Sequence, residues 1–136
     1  MNAAVLIKRC SLIFDKYVNQ LLAPYNITNS QFRILMILYK ADGEVVRQID
    51  IERGLSMTNP TVTGLIQSLE KNSLVKRIDN PNDKRSKILI LTKEAIDRKE
   101  EFIALSNSIE KEMTSNLTDS EIIELKLLLN KILEDK

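Results

Sequence analysis

The sequence predicts a mainly α-helical single domain with one small β-hairpin, on three observations. Apolar residues recur at helical spacing along most of the 136 residues. Thr28, Asn59, Thr92 and Thr118 each stand where a helix start needs a side chain to accept a free amide. One polar, turn-rich stretch at 79–86 separates two short β-branched runs.

The elements follow in order. Residues 4–22 place Leu6, Cys10, Ile13, Tyr17 and Leu21 on one helical face, and Pro24 stops the helix. Thr28-Asn29-Ser30-Gln31 reads as a capping box. The helix it opens turns Phe32, Leu35, Met36 and Tyr39 inward and ends at Asp42-Gly43. A short helix at about 45–53 has Val46 and Ile49 inward, and Arg53-Gly54-Leu55-Ser56 breaks it. The next begins near Asn59, with Asn59 as cap and Pro60 in the first turn, where no amide hydrogen is needed. It buries Val62, Leu65, Ile66 and Leu69 and closes at Asn72-Ser73, with Asn72 suited to a left-handed cap.

Residues 74–78 and 87–91 read as strands, joined by a polar connection longer than a tight two-residue turn. Thr92 caps a long helix, about 93–115, offering Ile96, Phe102, Ile109 and Met113 for packing. Thr118-Asp119-Ser120-Glu121 is a second capping box, and its helix carries Ile122, Leu125, Leu128, Leu129 and Ile132 on a broad stripe. Two short helices with a tight break, then a basic hairpin, is the order of a winged helix-turn-helix.

Composition removes most alternatives. The chain has no histidine, one cysteine and three glycines. It therefore lacks the commonest general base, any histidine-ligated metal site, an internal disulfide and a phosphate-cradling glycine loop. An enzyme would have only carboxylates, lysines and hydroxyls, and no metal or cofactor is expected. No apolar run approaches the roughly 20 residues of a membrane span, and no signal peptide opens the chain, so a cytoplasmic location is expected. Net charge is +1, but residues 71–92 hold six basic side chains against Asp79 and Asp83. Such a stretch is either a solvated face or an electrostatic footprint for phosphate.

Position favours the footprint. On the helix from Asn59, the face opposite the apolar stripe holds Thr61, Gly64, Gln67, Ser68 and Lys71, with Thr63 on its flank and Thr58 and Asn59 at its start. No acidic residue precedes Glu70 there. Hydroxyls and amides on such a face can read base edges in a major groove, and Gly64 lets backbone approach DNA closely. In the hairpin, Arg85 fits a narrow minor groove, with Asp83 placed to hold its guanidinium by a bidentate pair. Lys76, Arg77 and Lys87 on the strands would reach flanking phosphates, and Lys84 joins Asp83 and Arg85 in the wing's DNA-binding set.

The stretch Asn59-Pro60-Thr61-Val62-Thr63-Gly64-Leu65-Ile66, then Leu69-Glu70-Lys71, Leu74-Val75-Lys76-Arg77, Asn80-Pro81-Asn82-Asp83-Lys84-Arg85-Ser86 and Leu91-Thr92, resembles the MarR family of bacterial transcription regulators. Length and flanking helices extend the resemblance over the whole chain. It implies a triangular homodimer in which 28–92 is the winged helix-turn-helix and helices in 1–22 and 93–136 interlock across a two-fold axis. It implies a palindromic double-stranded DNA operator, usually repressed, and release by a small lipophilic or phenolic ligand or by oxidation. By position, Asp83 and Arg85 take the family's wing roles. Thr58, Asn59, Thr61, Thr63 and Gln67 fall on its recognition helix. The family often carries glycine where Ser73 stands and again shortly after the closing Leu-Thr, where this chain has Ala95 and Ile96.

Other readings stay open from the residues alone. Met36 and Tyr39 suit either a ligand crevice, with an adaptable apolar wall and a hydroxyl, or plain core. Cys10, beside Lys8 and Arg9, is either a redox-responsive thiol or an inert residue of an apolar stripe. Glu110, Glu112 and Asp119 read as a solvated face. A winged helix serving protein–protein contacts without DNA is the alternative from another class.

Overall fold

The computed structural model describes residues 1–136. Seven helices and a three-stranded antiparallel sheet follow in chain order: α1 (Ala3–Leu22), α2 (Asn29–Ala41), β1 (Val46–Arg47), α3 (Gln48–Leu55), α4 (Asn59–Lys71), β2 (Val75–Asn80), β3 (Asp83–Leu91), α5 (Lys93–Asp97), α6 (Lys99–Met113) and α7 (Asp119–Leu133). The sheet order is β1-β3-β2. This is the expected winged helix-turn-helix flanked by terminal helices, with several local corrections.

The capping sequences act as read. Thr28 Oγ1 accepts from the Gln31 amide at 3.2 Å while Gln31 Oε1 accepts from the Thr28 amide at 3.4 Å. Thr118 and Glu121 repeat the arrangement at 3.2 and 2.9 Å. The start of α4 moves by one residue: Thr58, extended at φ −76° and ψ 159°, is the cap, and Asn59 is already helical.

The first helix departs from its expected stripe. Val18 and Leu22 are buried and Phe14, Tyr17 and Leu21 half-buried, while Ile13 is 56% exposed. Apolar side chains nearly encircle α1, so spacing alone admits more than one face. Its second half packs on the core and its first half faces elsewhere.

Residues 46–47 form a strand rather than the start of a helix. Val46 pairs with Leu89 and Arg47 with Ile88, and α3 begins only at Gln48. Its buried stripe is Gln48, Ile51 and Leu55; Val46 is buried as expected but from the strand, and Ile49 is only half-buried. A two-residue strand is too short to alternate, and its partner lies far along the chain, so local pattern carries no sign of it. Asp50 Oδ2 accepts from the Arg47 amide at 2.9 Å and fixes the strand-to-helix turn. That bonding, with the Arg47 guanidinium foremost, holds the Asp50 carboxyl below its usual range.

The close of α4 explains one departure from the family pattern. Ser73, not Asn72, takes the left-handed conformation, at φ 61°. The Ser73 amide donates to Glu70 O at 2.9 Å and the Leu74 amide to Leu69 O at 3.0 Å. That is a Schellman closure with a non-glycine at its left-handed position. Thr92 locks it from the far end of the wing, donating through Oγ1 to Ser73 O at 2.6 Å.

The expected single helix at 93–115 is broken at Arg98, at φ −97° and ψ 9°. No proline or glycine marks the break; tertiary contacts do. Tyr39 Oη donates to the carbonyl of Ala95 at 2.6 Å. The Arg98 guanidinium lies 4.8 Å from the Phe102 ring centroid and 5.5 Å from that of Tyr25, and Nε donates to Glu101 Oε2 at 3.2 Å. Phe102 is solvent-free and packs with Tyr25, Phe32 and Tyr39, making the aromatic centre of the core. Ile96, expected to pack, is 56% exposed, and Ala95 is buried instead.

The last helix buries nothing: Ile123, Leu128 and Leu133 are 63%, 51% and 65% exposed. Between α1, the end of α6 and α7 lies an apolar groove of about 570 Å³, lined among others by Leu6, Ile7, Phe14, Met113, Leu125 and Leu129.

Ser73→Gly is expected to raise stability by up to about 1 kcal/mol, because glycine meets no Cβ penalty at positive φ while losing somewhat more chain entropy. Urea unfolding of the two proteins checks this; an unchanged or lower midpoint would show that the serine is not strained.

Candidate nucleic-acid interface

The rotation of α4 is set by three solvent-free side chains, Val62, Ile66 and Leu69, with Leu65 half-buried beside them. Thr61, Gly64, Gln67 and Lys71 are consequently exposed. Gly64 is not needed for packing, since a Cβ built there meets nothing within 4 Å. A glycine inside a helix costs roughly 0.5–1 kcal/mol against alanine. Its open surroundings leave the space above it to something outside the chain.

The other expected readers divide. Thr58 Oγ1 donates to Thr61 Oγ1 at 3.0 Å, so these hydroxyls form one exposed pair at the helix start. Asn59 is turned toward α3, its Nδ2 donating to Glu52 Oε2 at 2.9 Å. Thr63 is half-buried and accepts from Gln48 Nε2 at 2.9 Å. Gln67 stays outward.

The wing is tighter at its tip than expected, with Pro81 and Asn82 alone between β2 and β3. The ladder passes from Asp79↔Lys87 to Asn80↔Asp83, so Lys84, Arg85 and Ser86 bulge out of register. Short side chains hold this bulge. Asn80 Nδ2 donates to Ser86 Oγ at 2.9 Å, and Asn80 Oδ1 accepts from the Asn82 amide at 3.0 Å. Asp83 Oδ1 accepts from the Arg85 amide at 3.0 Å but lies 3.7 Å from its Nε. The expected bidentate pair is therefore absent: Asp83 shapes the backbone under Arg85 and leaves the guanidinium only a single 3.7 Å ionic contact. The Arg85 side chain is 95% exposed.

The remaining cations separate in the same way. Lys76 and Lys84 are exposed. Lys87 is paired with Asp79, and this lysine is the first cause holding the Asp79 carboxyl below its usual range. Arg77 donates through Nε to Gln48 Oε1 at 2.9 Å. Gln48, Glu52, Asn59, Arg77, Arg85 and Lys87 border a cleft of about 160 Å³ between α3, the start of α4 and the wing. Gln48 and Glu52 were not foreseen. The available signal for Gln48 was a polar residue at helical spacing with the apolar Ile51 and Leu55.

A separate crevice of about 360 Å³ lies among α1, α2, α3 and α6. Phe14, Phe32, Met36 and Leu55 give it an apolar floor, while Arg33 and Lys40 stand at its edge. Met36 is both buried in the core and part of the crevice lining. Tyr39 does not line it: it is 3% exposed, its hydroxyl is spent on Ala95, and burial pushes its pKa up to about 12. Cys10 is exposed on the apolar groove between α1 and α7.

Comparison with known proteins agrees with this geometry. The MarR family model matches residues 27–87, from the start of α2 into β3. The multiple antibiotic resistance protein MarR of Escherichia coli K12 is 31% identical over 120 residues, covering 88% of this chain and 82% of that protein. Among solved structures, the Staphylococcus aureus MepR–DNA complex superposes with a TM-score of 0.89 at 29% identity, covering 100% of this chain and 99% of that one. A mutant E. coli MarR complexed with operator DNA gives 0.83 at 30% identity, covering 96% and 92%. With a helix-turn-helix, a wing and flanking helices matched over nearly full length, the chain belongs to the MarR family of transcription regulators.

Proposed function

We propose that the protein is a homodimeric repressor that binds a palindromic operator and is released by a small lipophilic or phenolic ligand. The observation that carries the DNA-binding part is the outward face of α4. Thr61, Gly64 and Gln67 lie open and free of acid, beside an Arg85 whose guanidinium has no bidentate partner. The likeness to relatives solved with DNA supports it.

In this reading α4 enters the major groove. Gln67 and the Thr58–Thr61 hydroxyl pair meet base edges, and Gly64 lets the helix backbone come close. Arg85 enters the adjacent minor groove, where negative potential is concentrated. Lys71, Lys76 and Lys84 meet phosphates. Arg85→Ala should weaken binding to every duplex and lower the salt slope by about 1. Gln67→Ala should cost about 1–3 kcal/mol only at particular base pairs. Gly64→Ala should stabilise the fold by about 1 kcal/mol while weakening binding. Titration of a duplex selected from a random library, at two salt concentrations, measures the three binding effects, and urea unfolding measures the stability of Gly64→Ala; equal losses on selected and scrambled DNA for every variant would reject this division of roles.

The dimer rests on the unburied apolar faces of α1 and α7. Both helices expose large side chains around a shared groove, and helices with such faces bury them against a partner. Light scattering should return twice the 15.6 kDa chain mass. A mass of one chain at micromolar concentration would sink the proposal.

For the effector, the crevice beside Met36 has an apolar floor and two cations at its edge, offset by Glu110. That suits an aromatic carrying a carboxylate or phenolate. Hydroxybenzoates should release the selected duplex, and Arg33→Ala with Lys40→Ala should raise the concentration needed. Release that is indifferent to both substitutions would place the effector elsewhere.

A further inference from the structure

Two polar side chains are buried in this protein, Gln31 and Gln48. Gln31 is accounted for by the capping box of α2. Gln48 has no such local duty. It is 4% exposed and shares its stripe with Ile51 and Leu55, where an apolar residue would pack as well.

Its amide instead spans three elements. Nε2 donates to Thr63 Oγ1 on α4 and Oε1 accepts from Arg77 Nε on β2, each at 2.9 Å. Arginine Nε only donates, so the Gln48 oxygen must face Arg77 and the nitrogen must face Thr63. The reverse orientation would set donor against donor. The chain Thr63–Gln48–Arg77 thus has one polarity and one geometry. Arg77 spends Nε on it and keeps its terminal nitrogens for phosphate.

We infer that Gln48 is a positioning residue that fixes the angle between α4 and the wing, so that base reading by Gln67 and minor-groove entry by Arg85 are made together. The inference rests on the DNA-binding reading proposed above. Thr63, on the flank of the recognition helix, serves selectivity through Gln48 rather than by touching a base. Two contact elements held in one relative pose lose less freedom on binding and tolerate a wrong sequence less well.

Three variants separate this from simple packing. Gln48→Met keeps the length and breaks both bonds. Thr63→Val keeps the volume and breaks only the link to α4. Gln48→Glu preserves the chain, since the Thr63 hydroxyl can turn to donate to a carboxylate that also accepts from Arg77. The measurement is the ratio of affinities for the palindromic duplex selected by the wild type and for a scrambled duplex of equal length and composition, at one salt concentration. Gln48→Met and Thr63→Val are expected to narrow it about tenfold, and Gln48→Glu to keep it within about twofold while lowering both affinities. In a double-mutant cycle, losses from Gln67→Ala and Arg85→Ala should be coupled in the wild type and additive in the Gln48→Met background. Proton exchange at Arg77 Nε, followed by NMR without DNA, should be slow in the wild type and in Gln48→Glu and fast in Gln48→Met. Selective binding by the wild type with an unchanged ratio and unchanged coupling in Gln48→Met would overturn the inference alone. A wild type that enriches no duplex would overturn the DNA-binding reading, and this inference with it.

Discussion

The burial of Val62, Ile66 and Leu69 determines what α4 can do. All three are solvent-free, and each such side chain is worth roughly 1.5–3 kcal/mol relative to exposure. Rotating the helix by one residue would expose them and bury Gln67 or Lys71 without partners. The apolar stripe therefore decides the outward face, and everything proposed about base reading depends on it. The Schellman closure at Ser73 and its tie to Thr92 then set where the wing begins and ends relative to that helix.

Once α4 is fixed, the polar side chains sort into those spent inside the protein and those left outside. Thr63, Arg77, Lys87 and Asn59 each have an internal partner; Gln67, Lys71, Lys76 and Lys84 point outward, and Arg85, 95% exposed, has only a 3.7 Å contact with Asp83. The near-zero net charge is compatible with DNA binding on this account. Two of the six cations in 71–92 are engaged inside the protein, Lys87 by Asp79 and Arg77 by Gln48, and the other four lie exposed on the wing and at the end of α4. Asp83 contributes by bonding backbone, which presents the Arg85 guanidinium outward with no hydrogen bond to the carboxylate.

The elements set by local chemistry were legible in the sequence. Thr28-Gln31 and Thr118-Glu121 act within one turn, the stripe of α4 repeats along one helix, and the polar run at 79–86 lies between two β-branched segments. What was not legible depends on contacts across the chain. The strand Val46–Arg47 exists because β3 lies beside it. The break at Arg98 exists because Phe102, Tyr25 and Tyr39 gather there. The inward turn of Thr63 follows from Gln48, which is 15 residues away. The face of α1 could not be chosen because apolar residues nearly surround it. Asp83 illustrates a subtler limit: its partner was foreseen, but not that it would take the amide rather than the guanidinium.

The crevice and the DNA-facing surface share one element, and this gives the proposed release a physical route. Leu55 at the end of α3 forms part of the crevice floor, and Gln48 at the start of the same helix holds α4 and the wing. The remaining walls come from α1, α2 and α6, which include the helices proposed to form the dimer. A guest can change DNA affinity only by favouring one spacing of these elements over another. A coupling of about 1–3 kcal/mol, ordinary for allosteric proteins, changes affinity roughly 5- to 150-fold. In the proposed release, a displacement at Leu55 would be carried to Gln48 along the eight residues of α3. On this proposal the α4–wing angle would change without the guest touching any DNA-facing residue.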